Sequence, residues 1–69
     1  MNNEVAKTLA KVAMSIKSNV VNVCIETTNG HIYKNIVVDD FDEKGVYFND
    51  TNYVCYDKIS KFYFNAVCD

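Results

Sequence analysis

The hydrophobic period of this chain changes once, near residue 18, and that change limits what it can fold into. Over residues 3–17, Val5, Leu9, Val12 and Ile16 recur at i, i+4, i+7 and i+11, which is one stripe of an α-helix. Ala6, Ala10 and Ala13 favour the same conformation. Asn2 or Asn3 can cap its start, and Ser18-Asn19 can end it. The stripe predicts a helix that needs a partner surface. From Asn19 to Thr27 the period is two: Val21, Val23 and Ile25 alternate with Asn22, Cys24 and Glu26, as in a half-buried strand.

The turn residues divide the remainder into short strands. Thr28-Asn29-Gly30-His31 holds an Asn-Gly pair suited to a tight hairpin. A second strand is expected over 32–41, with its register shifting around Ile36, Val37 and Val38. Asp42-Glu43-Lys44-Gly45 and Asn49-Asp50-Thr51-Asn52 mark two more turns. Further strands are expected over 46–48, 53–56 and 59–64, the last two separated at Asp57-Lys58. The expected fold class is mainly β with one N-terminal helix: a meander of five short strands that bends into a small barrel. The whole chain is one domain, with the helix over 3–18, the barrel over 19–64 and a tail over 65–69.

At 69 residues there is room for one core and no separate substrate domain. A core of this size supplies about 3–5 kcal/mol, so such chains usually lean on a disulfide, a metal or a neighbouring subunit. Cys24, Cys55 and Cys68 are odd in number and lack paired metal-ligand spacing. No metal or cofactor is expected, and a second copy becomes the natural support. Apolar runs are only a few residues long, so no membrane span is expected. The first 18 residues lack the continuous apolar segment of a signal peptide, so a cytoplasmic chain with reduced thiols is expected.

Charge is unevenly distributed. Lys7, Lys11 and Lys17 outweigh Glu4 in the helical segment, whereas four Lys face eight acids beyond it, leaving −2 overall and no Arg. That balance does not favour non-specific duplex binding, which depends on neutralising phosphates. The abundance of Asn, Lys, Tyr and Ile suits an A/T-rich genome, including those of many phages.

Taken in order, these residues resemble the Sm-like family, including its Hfq branch, over residues 4–64. The first family motif is matched by Val21, Val23 and Ile25, then Asn29-Gly30, then a strand closing on Phe41-Asp42. The second is matched by Val54, Ile59-Ser60 and Phe62 at the Hfq-branch spacing. The second Gly of the first motif falls at Asn35, and the branch's basic Lys-His pair falls on Tyr56-Asp57. The resemblance implies a helix on a strongly bent five-stranded barrel. It also implies assembly into a homo-oligomeric ring of about five to seven subunits.

The resemblance also implies sites. Phe41 would stack a base at the inner rim, with Asp42 orienting its neighbours; the plainer reading is a barrel-closing Phe and a turn Asp. Tyr56 and Lys58 would meet a base and a phosphate at the other rim loop, and a solvated turn is the alternative. Lys7 and Lys11, four apart on one helical face, would repeat around a ring as a basic girdle; otherwise they are the wet face of the helix. Tyr53, Val54, Cys55, Phe62, Tyr63 and Phe64 lie on the last two strands, which pair between neighbouring subunits in such rings and would form the interface. Their few charges leave edges that a monomer would need to block.

His31 has no second histidine, and Gly30 and Gly45 are the only glycines, so neither a catalytic His set nor a Gly-rich phosphate loop is proposed. Cys24 is expected to be an incidental small residue on the strand face opposite Val23 and Ile25. The expected function is single-stranded RNA binding by a ring, at its inner rim or helix face. The alternatives are a protein-interaction module, such as a phage factor occupying a host protein, and a purely structural ring. Catalysis is not expected.

Overall fold

The computed structural model describes residues 1–16 and 21–66. One helix, α1 (Asn3–Ser15), precedes six strands: β1 (Val21–Thr27), β2 (Ile32–Tyr33), β3 (Val38–Phe41), β4 (Gly45–Phe48), β5 (Asn52–Cys55) and β6 (Ile59–Ala66). A 3-10 turn, Tyr56–Lys58, joins β5 to β6. The chain is mainly β with an N-terminal helix, as the change of period predicts. The expected helix stop at Ser18-Asn19, and Cys68 in the tail, lie outside the described residues.

The strands form two antiparallel three-stranded sheets, in the orders β2-β1-β6 and β3-β4-β5. No ladder between β5 and β6 closes them into one barrel among the described residues. The expected second strand over 32–41 is two strands, one in each sheet. Asn35 breaks it, with φ at +53° in the left-handed region that Asn tolerates better than most side chains. The linking residues bind both sheets: the Ile36 N–H donates to Val23 O at 2.9 Å, and the Asn49 N–H donates to Val37 O at 2.9 Å.

The turns follow their residues. In the first hairpin Gly30 alone has positive φ, at +89°. This differs from the two positive φ values of a type I′ turn. Asn49 and Asp50 do carry both, at +50° and +67°. Asp42 Oδ1 accepts the N–H groups of Lys44 and Gly45, each at 2.8 Å, and so closes the β3–β4 turn.

Asn2 caps α1, its Oδ1 accepting from the Glu4 N–H at 2.8 Å and the Val5 N–H at 3.2 Å. The helix buries a different face from the one its large apolar residues define. Ala6, Ala10 and Ala13 are buried; Leu9 and Ile16 are half-buried; Val5 and Val12 stand 51% and 44% exposed. Small side chains let the backbone lie close against β3 and β4, and the bulkier stripe falls to one side. The core beneath comprises the three alanines with Val23, Ile25, Ile36, Val38, Val46, Phe48, Val54, Tyr56, Ile59 and Phe62. Cys24 sits on the opposite face of β1 yet is also buried, across the ladder from Tyr63. Burial pushes the Tyr63 hydroxyl pKa up, with the Cys24 thiol and Glu26 adding to the shift.

Candidate functional site

Two loops meet at one end of the sheet β3-β4-β5. The Tyr56 N–H donates to Lys44 O at 2.8 Å, and the Tyr56 hydroxyl donates to Asp42 O at 2.6 Å. The β3–β4 turn and the 3-10 turn are therefore one unit. The helix joins it through Lys7, whose ammonium pairs with the Glu43 carboxylate. That hydrogen bond holds the Lys7 pKa above its usual value.

The expected rim residues meet different fates in this unit. Phe41 is half-buried and rests against the core. Asp42 is exposed, but its carboxylate is already occupied. Besides the two backbone N–H groups, it accepts the Tyr53 hydroxyl at 3.1 Å and the Tyr47 hydroxyl at 3.5 Å. The backbone bonds first, and then the two hydroxyls, hold its pKa below the ordinary 3.8. Tyr56 is fully buried, so the expectation that its ring stacks a base is corrected: no face is open, and the residue braces the Asp42 loop. Lys7 is tied to Glu43, whereas Lys11, one turn further along the helix, is exposed.

Lys58 belongs to another place. It lines an open cleft of about 600 Å³ with Thr27, Thr28, Asn29, His31, Tyr33, Tyr53, Val54 and Cys55. The cleft lies between the first hairpin and β5. His31 and Tyr33 meet edge to face there, with ring centroids 4.3 Å apart. The Thr28 N–H donates to Lys58 O at 2.8 Å and fixes the 3-10 turn against the hairpin. Sequence reasoning left His31 idle, because the approach of the hairpin to β5 is a long-range contact with no local pattern.

The expected interface residues divide by register. Val54 and Phe62 are buried, so as side-chain contacts they are corrected to core residues. Tyr53 is 39% exposed, and Cys55, Tyr63 and Phe64 are intermediate. β5 and β6 are each an outer strand of their sheet.

Sequence reasoning also missed Tyr47. It lies opposite Tyr53 in the β4–β5 ladder and opposite Asp40 in the β3–β4 ladder. The two tyrosine rings are 4.5 Å apart. The Tyr53 hydroxyl pKa is pushed up to about 12, first by desolvation and then by its bond to Asp42. The Gly45-x-Tyr47 alternation was the available signal, because it places the glycine and the tyrosine on one strand face.

Among the described residues no group of three His, Cys, Asp or Glu side chains could share a metal ion. None of their helices is long and apolar enough to cross a membrane. No family model, curated protein or solved structure matches the chain.

Proposed function

We propose that the chain is an Sm-like ring subunit that binds single-stranded RNA, with the outer edge of β5 in one copy pairing with β6 of the next. The observation that carries this reading is the strand order. β2 and β3 lie in different sheets and are linked through the left-handed Asn35, and β5 and β6 are outer strands joined by a 3-10 turn. Taking β2 and β3 as two halves of one family strand, the order is a helix followed by five strands. The left-handed Asn35 supports the same reading, because it stands where the family places its second glycine.

The RNA contacts fall to groups that remain accessible: Lys58 with His31 and Tyr33 in the cleft, the half-exposed Phe41, and Lys11 on the helix. The cleft runs beside β5, so in a ring it lies at the boundary between copies. An aromatic pair beside an ammonium suits a stacked base next to a phosphate. The test is fluorescence anisotropy with a labelled oligouridylate. Lys58→Glu weakens binding by about tenfold or more, because the change repeats in every subunit. Equal affinity of wild type and variant contradicts the RNA site.

A second reading, the protein-interaction module, is favoured by one observation. Three of the six candidate RNA contacts are committed internally: Tyr56 to the core, Asp42 to four donors, and Lys7 of the helix face to Glu43.

A further inference from the structure

The outer face of β3-β4-β5 carries a row across all three strands. Asp40 lies opposite Tyr47, and Tyr47 lies opposite Tyr53. Residues directly opposite in an antiparallel ladder share a face. Tyr47, on the central strand, and Tyr53, on the outer strand β5, are 43% and 39% exposed.

Both rings are held in place. Their hydroxyls converge on the Asp42 carboxylate at 3.5 and 3.1 Å. The Tyr53 ring lies over Gly45: a Cβ there would sit 2.6 Å from Tyr53 Cζ. Two adjacent, exposed aromatic rings, of which Tyr53 is packed over Gly45 and bonded to Asp42, form a platform with reduced side-chain freedom. Binding to it costs correspondingly less.

The electrostatics select the occupant. Tyrosine faces carry negative quadrupole density and attract cations. Asp40 adds an exposed carboxylate at one end of the row, its Oδ1 accepting the Phe41 N–H at 2.8 Å. Asp42 adds a second, hydrogen-bonded one. A phosphate meets repulsion at this face. A planar guanidinium can stack on Tyr47 while its N–H groups reach Asp40, a combination an ammonium matches less well.

We infer that Asp40, Tyr47 and Tyr53 form a docking surface for an arginine presented by a basic segment of a partner protein. No Arg occurs among these 69 residues, so a second copy of them does not supply it. Tyr53 also lines the Lys58 cleft and lies on the outer strand β5, whereas Asp40 and Tyr47 do not line that cleft, so variants of Asp40 and Tyr47 separate this surface from the proposed RNA site.

The test is anisotropy with a fluorescein-labelled hexa-arginine peptide and the full chain. Wild type binds it, and binds a hexalysine peptide more weakly. Tyr47→Ala weakens the hexa-arginine complex about fivefold, whereas Tyr47→Phe, which keeps the ring, stays within about twofold. Asp40→Asn, an exposed change that leaves the platform intact, weakens it by a similar factor to Tyr47→Ala. Equal affinity of Tyr47→Ala and wild type overturns the inference, because binding would then follow net charge alone. Loss of oligouridylate binding in Tyr47→Ala, with hexa-arginine binding unchanged, overturns it in favour of a nucleic acid on this face.

Discussion

The Tyr56 hydroxyl donates to the main-chain oxygen of Asp42 at 2.6 Å and locks the β3–β4 turn to the 3-10 turn. Tyr56 is fully buried, so no water can readily replace that bond. Tyr56→Phe keeps the ring and removes only the donor. It is expected to cost about 1–2 kcal/mol in urea denaturation, the usual price of an orphaned, partly buried acceptor. A neutral result would mean that the two turns are held by packing alone.

Asp42 couples that turn to pH. Its carboxyl is held below 3.8, first by the N–H groups of Lys44 and Gly45 and then by the Tyr53 and Tyr47 hydroxyls. A folded value below the unfolded one gives stability that is present above the unfolded value and lost as pH falls through the folded one. Wild type should therefore exceed Asp42→Asn in stability at about pH 7, and the gap should narrow as pH falls below the ordinary carboxylate range. The same variant should lower the Tyr53 hydroxyl from about 12 without restoring it to 10.0, because desolvation is the larger cause. Ultraviolet titration of tyrosinate reads this directly.

Gly45 is required by what lies over it. An added Cβ would meet Val54 O at 2.5 Å and the Tyr53 hydroxyl at 2.7 Å. Gly45→Ala should cost about 1–3 kcal/mol by overpacking. It should also displace Tyr53 from Asp42, lowering the highest tyrosine titration. Unchanged stability together with an unchanged titration would contradict this placement of the ring.

The helix makes a paired prediction. Val12 is 44% exposed and Ala10 is 0% exposed. Val12→Lys should change stability by less than about 0.5 kcal/mol. Ala10→Leu should cost about 1–3 kcal/mol, because the helix would have to lift from the sheet. Thermal melts of the two variants test which face is inside.

Those helix residues also show what the sequence could and could not tell. The helix and its Asn2 cap, the alternation of β1, and all three turns were legible, because each rests on local spacing or local backbone preference. The buried helix face was not. Hydrophobicity pointed to Val5, Leu9, Val12 and Ile16, but close approach to the sheet selected the alanines. The break at Asn35 was visible only as a register shift around Ile36 to Val38. Tyr56 looked like a surface loop residue, because nothing local records that its ring fills the core. The bonds of Tyr47 and Tyr53 to Asp42 were hidden for the same reason: they cross two ladders and depend on the absent side chain of Gly45.

The proposed ring is held by the outer edges of β5 and β6. Cys55 offers a clean probe. The Tyr56 N–H points to β4, donating to Lys44 O, so by alternation the Cys55 N–H points away from β4. Its φ of −70° already suits proline. Native mass spectrometry of wild type and Cys55→Pro, each with and without nuclease treatment, is the most direct measurement. Wild type is expected as a closed ring of about five to seven copies and Cys55→Pro as a folded monomer. Nuclease-sensitive added mass on the wild-type ring would mark bound RNA. A wild-type monomer, or a ring unaffected by the proline, would contradict assembly through the β5 edge.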